Sequence, residues 1–256
     1  MLTTRSLAAL LCAASLAACG TSALQDISAP ATGARIKFFN FAVGAPGVNF
    51  YANDTKVTAI SSATGSESTV GTAYTAVGNG GYYSAIAPGQ YTLTGRISAT
   101  TDNGLPIATA PFTLVDGHFF SMYLSGFYNS TSKTTDSFVL EDVFPTTVDF
   151  TVGTVRFVNA SANAQPLQLY AKSTVTGVET AIGAPVAYES GTAFVTLPPA
   201  SYDLNARYVG SNTNVITRTA VSFSGGRVYT VTAFGDITVG GTTATNRARL
   251  DNTTNR

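Results

Sequence analysis

Residues 154–171 read TVRFVNASANAQPLQLYA, and residues 35–52 read RIKFFNFAVGAPGVNFYA. The two stretches start 119 residues apart and align without a gap, with aromatic and aliphatic residues at corresponding places. Residues of this kind, alternating with a period of two, favour half-buried β-strands. Because the chain contains this strand-forming sequence pattern twice, we expect two copies of one β domain.

Three later blocks repeat in the same order. Residues 87–93 match residues 198–204 at an offset of 111, residues 112–126 match 221–235 at 109, and residues 140–142 match 250–252 at 110. Each copy has the length and the turn spacing of an immunoglobulin-like sandwich. We therefore predict an all-β protein with two tandem immunoglobulin-like β-sandwich domains, at residues 33–147 and 152–256. The alternative is one sandwich or barrel with a single shared core, which the short connection at residues 145–147 would permit.

The composition is that of a folded β protein. Charged residues make up only 11% of the chain and apolar residues 45%, so enough apolar surface is present to offset the entropy of ordering. Thr, Val, Tyr and Phe favour sheets, while frequent Gly, Asn and Pro mark turns.

The N-terminus has the layout of a secretory signal peptide, predicted at residues 1–18. One positive charge at Arg5 precedes an apolar run from Leu7 to Leu16, which is too short to span a bilayer. The run ends in Leu16-Ala17-Ala18-Cys19, which resembles the bacterial lipobox, in which the cysteine is acylated and becomes the first mature residue. The alternative is an ordinary signal peptide that ends in Ala-Ala-Cys.

Cysteine content agrees with lipidation at Cys19. The only other cysteine is Cys12, inside the signal, so the mature fold has no disulfide. Residues 19–32 would form a polar tether from the lipid to the first domain, and Gly20 after the anchor points to the outer membrane, with the face left open. Cleavage removes Arg5 and no acid, leaving 13 basic against 14 acidic residues, which argues against nucleic acid as a partner.

Both copies resemble a bacterial family known as domain of unknown function 4397. The residues that carry the resemblance are Val155 to Ser161 (VRFVNAS) and Leu167 to Tyr170, with a looser match at Ile36 to Asn40 and Val48 to Tyr51. The resemblance implies β-sandwich repeats in exported or lipid-anchored envelope proteins. An aspartate of the family's second strand is replaced here by Asn49 and Gln168. The family carries no established activity.

Candidates for catalysis and metal binding are few. The single histidine, His118, could act in a Ser-His-Asp arrangement, but no Gly-x-Ser-x-Gly elbow exists, and a polar residue leading into a strand is the simpler interpretation. Asp102-Asn103-Gly104 and Glu141-Asp142 could offer oxygen ligands to calcium, but the first fits a turn better and EF-hand spacing is lacking. We expect no cofactor, no metal site and no enzymatic activity.

Carbohydrate binding is the other function class to weigh. Tyr82 and Tyr83 follow the glycine-rich residues 78–81, where their rings could stack on sugars, or could simply begin a strand with one ring in and one out. Repeat 1 also holds eight more residues than repeat 2 between Ala52 and Pro88, in or near residues 61–81, a segment that could be a neutral insertion or a contact surface.

The sequence thus predicts a noncatalytic cell-envelope lipoprotein that displays two sandwich domains for structural or protein-interaction roles. The alternative is a glycan-binding or adhesive surface module with its site at Tyr82 and Tyr83. In both cases the partners are the membrane, through the N-terminal lipid anchor, and envelope proteins or glycans.

Overall fold

The structure is a computed structural model that describes residues 32–58, 70–241 and 243–255. The predicted signal peptide, Cys19 and residues 61–69 of the predicted insertion lie outside the described residues. The described residues of repeat 1 form nine strands: β1 (Ala34–Asn40), β2 (Val48–Ala52), β3 (Thr55–Lys56), β4 (Ala76–Val77), β5 (Ser84–Ile86), β6 (Gly89–Ile97), β7 (Pro106–Leu114), β8 (Phe119–Asn129) and β9 (Thr134–Glu141). A 3₁₀ turn, Gly78–Gly81, lies between β4 and β5.

Repeat 2 has the same number of strands in the same order. They are β10 (Gly153–Asn159), β11 (Leu167–Ser173), β12 (Glu179–Val186), β13 (Ser190–Gly191), β14 (Val195–Leu197), β15 (Ala200–Tyr208), β16 (Ile216–Phe223), β17 (Val228–Phe234) and β18 (Arg249–Thr254). The all-β prediction is confirmed, and the strands form two sandwich-like halves. The immunoglobulin-like detail and the boundaries at residues 147 and 152 stay predictions.

Each repeat contains one five-stranded and one four-stranded sheet. In repeat 1 the order is β4-β1-β8-β9, with β5 also on β1, against β3-β2-β6-β7. In repeat 2 it is β13-β10-β17-β18, with β14 also on β10, against β12-β11-β15-β16. In both five-stranded sheets the opening strand runs parallel to its central partner, β8 or β17, and the other pairings are antiparallel.

The two five-stranded sheets face each other, so the described sheets stack in four layers. On β1, Ile36 and Phe38 point into the core of repeat 1, while Lys37 and Phe39 point toward repeat 2. This alternation follows from the pleat. Both opening strands are therefore buried on both faces, which explains why they contain nearly continuous apolar residues.

Three apolar clusters fill the space between the layers. One lies within each repeat, around Phe50 and Leu93 in repeat 1 and around Leu169 and Leu204 in repeat 2. The third joins the repeats and consists of Phe39, Phe41, Tyr123, Phe138, Val158, Ala160 and Phe234. Each repeat therefore has its own core, as two tandem domains require. The third cluster is shared by both repeats, which is the feature expected of the alternative with a single shared core.

Strand registers refine the sequence alignment. The predicted offset of 110 for the last block is wrong, because Glu141 pairs with Phe120 as Thr254 pairs with Tyr229, which gives an offset of 113. The eight extra residues of repeat 1 lie in two places, five before β4 and three between β4 and β5. The offset falls from 119 at the opening strands to 114 at β4 and β13 and to 111 at β5 and β14, so the last three extra residues belong to the Gly78–Gly81 turn.

The predicted turn at Asp102-Asn103-Gly104 is confirmed between β6 and β7. Asp102 and Gly104 have positive φ, whereas the sequence suggested the Asn-Gly pair, and Leu105 donates its backbone N–H to the Asp102 carbonyl at 3.0 Å. Among the described residues there is no helix of the length and hydrophobicity needed to cross a bilayer.

Candidate functional site

The most unusual chemistry of the molecule lies between the repeats, at Arg156 on β10. Its side chain is 3% exposed, and the guanidinium group crosses to repeat 1, where Nη2 donates to Asp142 Oδ1 and Nη1 donates to the Glu141 carbonyl at 3.1 Å. Nε donates within repeat 2 to Thr230 Oγ1 at 3.0 Å. All three nitrogens of this buried cation therefore have acceptors, as burial of a charge requires.

Lys37 occupies the same place on β1 and makes the opposite crossing. Its Nζ donates to the Thr254 carbonyl and to Asn255 Oδ1 of repeat 2, both at 3.0 Å, and lies 4.4 Å from the centre of the Tyr83 ring. The side chain is as buried as that of Arg156. Each repeat thus inserts one cation into the other.

The acceptors of the two cations are equivalent as well. Asp142 donates its backbone N–H to the carbonyl of Phe119, and Asn255 donates to the carbonyl of Val228, the corresponding residue of repeat 2. One acceptor therefore carries a negative charge, and its equivalent is neutral. Arg156 donates to the Asp142 carboxylate, and Lys37 donates to the Asn255 amide oxygen.

Asp142 is the centre of this network. Its Oδ2 accepts from the Tyr83 hydroxyl at 2.5 Å and from Ser121 Oγ at 2.7 Å, in addition to the Arg156 contact at Oδ1. In repeat 2 the Asn255 amide donates to Thr230 Oγ1 at 2.7 Å. A carboxylate with three charge-assisted or hydroxyl donors is well compensated for the loss of water.

Burial displaces the pKa values of the network. Desolvation lowers the pKa of Lys37 to about 8, with Asp142 acting in the opposite direction and Arg156 in the same one. Desolvation, followed by the neighbouring Asp142 carboxylate, raises the pKa of Tyr83 far above its usual range. Desolvation also raises the pKa of Tyr123 to about 12.

An aromatic seam continues the contact away from the charges. Phe41 of repeat 1 stacks on Phe234 of repeat 2 with ring centres 3.9 Å apart and planes 5° apart. Farther along, the Tyr188 hydroxyl of repeat 2 lies 2.8 Å from Ser125 Oγ and donates to Asp136 Oδ2 at 2.9 Å, both in repeat 1. Apolar area, stacking and polar contacts therefore all connect the two repeats.

A solvent-open cleft of about 740 Å³ lies beside this network. Repeat 1 contributes Val77, Gly80, Gly81, Tyr82 and Tyr83, and repeat 2 contributes Arg227 and residues 251–255. The Tyr82 side chain is 78% exposed, whereas Tyr83 is turned inward to Asp142. The one-in, one-out arrangement of the two rings is the one the sequence offered as the simpler alternative.

The remaining candidates are separated from one another. His118 Nδ1 lies 2.6 Å from Glu141 Oε1 at the surface, while the side chain of the adjacent Asp142 is buried and bound by Arg156, Tyr83 and Ser121. Asp102 pairs with Lys133 at 2.9 Å. Within the described part of the chain, no group of three or more His, Cys, Asp or Glu side chains could hold a metal ion.

Comparison with known proteins agrees with the repeat structure. The family model described as Domain of unknown function (DUF4397) matches residues 34–170 and 153–255, which together span most of the chain. The chain belongs to this family. The first match extends through β10 into β11, so the matches overlap where DUF4397 repeat 2 begins. Among curated proteins, no significant relative was found.

The sequence reasoning missed the network inside this DUF4397 pair. Its signal was present, because Lys37 and Arg156 stand at equivalent positions in the middle of two largely apolar strands that align without a gap. A charge within a strand buried on both faces requires a partner. The partners could not be named, because Asp142 and Asn255 were misaligned by three residues.

Proposed function

We propose that the chain is a noncatalytic cell-envelope lipoprotein that displays its two DUF4397 repeats as one rigid unit for structural or protein-interaction roles. The observation that carries the proposal is the reciprocal insertion of Lys37 and Arg156. Displaced pKa values are typical of active sites. Here the displaced groups are held in contacts that join the repeats, which supports a scaffold role for them.

A rigid pair is suited to presentation of surfaces. Relative motion of two domains is the default unless their interface is large and apolar. The shared apolar cluster and the buried ion pair of Arg156 with Asp142 both resist such motion. Exposed turns of repeat 2, such as the β11–β12 turn with Val175 at its tip, would then keep fixed positions relative to repeat 1.

Anchoring at Cys19 is tested by metabolic labelling with a palmitate analogue. The proposal predicts that wild-type protein and Cys12→Ser incorporate the label, because Cys12 lies in the cleaved signal, while Cys19→Ala does not. Two acyl chains or more are needed for stable anchoring, so wild type should also partition into detergent. A mature wild-type protein without label, found in the aqueous phase, would contradict the anchor.

The interaction role is tested in living cells with a photo-crosslinking amino acid. Placed at Val175, which is 82% exposed, it should capture a discrete envelope component. The same residue placed at buried Phe157 is the control and should capture none. Absence of any crosslinked species from Val175 and from other exposed turns would count against the role.

Glycan binding is the second candidate function. The cleft beside the network favours it, because this cleft combines an exposed aromatic ring with polar groups, as saccharide sites need. Tyr82 remains available to a ligand, while the Tyr83 hydroxyl is committed to Asp142.

A further inference from the structure

Several differences between the two repeats lie in the cleft of about 740 Å³ beside the network. The register of β5 and β14 makes Ala193 the equivalent of Tyr82, so only repeat 1 has an aromatic ring there. The three-residue excess of the Gly78–Gly81 turn directly precedes that ring and lines the same cleft. Two repeat-specific features therefore shape the cleft wall that repeat 1 supplies.

The opposite wall carries a third difference. Arg227 precedes β17 as His118 precedes β8, and both are exposed. His118 lies against Glu141, but the residue equivalent to Glu141 in repeat 2 is Thr254, which has no charge. The exposed Arg227 guanidinium therefore lacks the carboxylate that its counterpart has.

The charge of the cleft follows from these contacts. Its one carboxylate, Asp251, is bound by Arg218 Nη1 at 2.5 Å and so is already neutralised. Arg227 is then the charged lining residue with which no described carboxylate pairs. Asn252 and Thr253 add uncharged hydrogen-bonding groups on the same wall.

An added peptide strand fits this cleft less well than a sugar. The hydrogen-bonded contact of Asn255 with Val228 means that Leu250, Asn252 and Thr254 turn their backbone groups to the outer edge of β18. Arg218 already donates to the Leu250 carbonyl, and Lys37 already donates to the Thr254 carbonyl. Two of three edge acceptors are thus engaged.

We propose that this cleft is a binding site for an acidic saccharide, with the sugar stacked on Tyr82 and its carboxylate paired with Arg227. The inference rests on the glycan-binding role given above as the second candidate, and it names the ligand class and the residues. Aromatic rings supply rigid apolar area to ligands, and Arg pairs with carboxylates in bidentate geometry.

The test is calorimetric titration of the purified full chain with oligogalacturonate, alginate oligomers and hyaluronan oligomers. Methyl-esterified oligogalacturonate is the matched neutral probe. We expect saturable binding of at least one acidic oligomer, a loss of about tenfold or more in affinity in Tyr82→Ala, and loss of the preference for acid over ester in Arg227→Gln. The result does not depend on whether Cys19 is lipidated, so failure here is distinct from failure of the envelope proposal.

Two variants serve as controls. Phe150→Ala removes an aromatic side chain that is equally exposed but lies outside the cleft, and His118→Gln alters the equivalent of Arg227 in the other repeat. Both should bind as wild type does. Absence of saturable binding to all three acidic oligomers, equal binding of the ester, or unchanged affinity in Tyr82→Ala would overturn the proposal.

Discussion

Lys37 and Arg156 stand at the same position of the two opening strands, and each donates two hydrogen bonds to the other repeat. Their acceptors differ in charge, since Arg156 meets Asp142 and Lys37 meets Asn255. The network around these two buried cations therefore contains one carboxylate, Asp142. Replacing a charged residue of this network with a neutral one should therefore be costly, because it leaves the opposite buried charge without a partner.

Asp142→Asn should destabilise the folded chain strongly. Removing one partner of a buried ion pair leaves the other charge uncompensated, at a cost of about 3–5 kcal/mol. Urea unfolding measures the change. The control is Glu179→Gln, which removes the partner of Arg207 in a bidentate but more exposed pair at 2.7 Å and should cost less than about 1 kcal/mol. Equal losses in the two variants would show that the Asp142 pair contributes no more than a surface pair.

Two tyrosines of the interface, half-buried Tyr83 and buried Tyr123, should respond differently to loss of the hydroxyl. Tyr83→Phe leaves Asp142 Oδ2 with one donor fewer, which should cost about 1–3 kcal/mol. Tyr123→Phe should be nearly neutral or slightly stabilising, because its hydroxyl lies near Ser121 and Thr232 without hydrogen-bond geometry to either of them. Thermal unfolding of both variants checks this, and the reverse order of stability would refute the assignment.

Stability should rise with pH between about 8 and 10. The folded-state pKa of Lys37 is about 8 and the unfolded one near 10.5, so in this window the unfolded state binds more protons and stability increases. The gain from pH 8 to 9.5 is about 1–2 kcal/mol, because the folded state is still half protonated at pH 8. Above pH 10 the raised pKa values of Tyr83 and Tyr123 act in the opposite sense, because the unfolded chain then loses tyrosine protons first.

Urea midpoints across this pH range measure the effect. Lys37→Met is the comparison variant, because it keeps an unbranched side chain in the interface but cannot titrate. The rise between pH 8 and 9.5 should be present in the wild type and absent in Lys37→Met. A rise of the same size in both proteins would assign the pH dependence to other groups.

The fold could be predicted from the sequence because its signals are local and repeated. Alternation and turn residues predicted strands, and the repeated line at residues 35–52 and 154–171 marked the two copies. That line also held the two cations. The partners of these cations could not be predicted from it, because Asp142 lies 14 residues before Arg156, Asn255 lies 218 residues after Lys37, and strand register sets both contacts.

The candidate cleft was predictable only in part. The sequence predicted a ligand contact at both Tyr82 and Tyr83, and the structure separates the two rings, because the Tyr83 hydroxyl donates to Asp142. Arg227 is the counterpart of His118 in repeat 2. Its position opposite Tyr82 depends on how the two repeats pack, and alternation along a strand carries no information about that packing.

The most direct test of the account is a double-mutant cycle that moves the carboxylate from one repeat to the other. Asp142→Asn, Asn255→Asp and the combined variant are compared with wild type by urea unfolding. The Asn255 side chain shares Thr230 Oγ1 with Arg156 and accepts from Lys37, so a carboxylate at residue 255 would stay inside the same network. The account predicts that Asn255→Asp restores at least about 1 kcal/mol of the stability lost in Asp142→Asn, a coupling typical of residues in one network. Strictly additive effects of the two substitutions would contradict the claim that reciprocal buried contacts join the repeats into one unit.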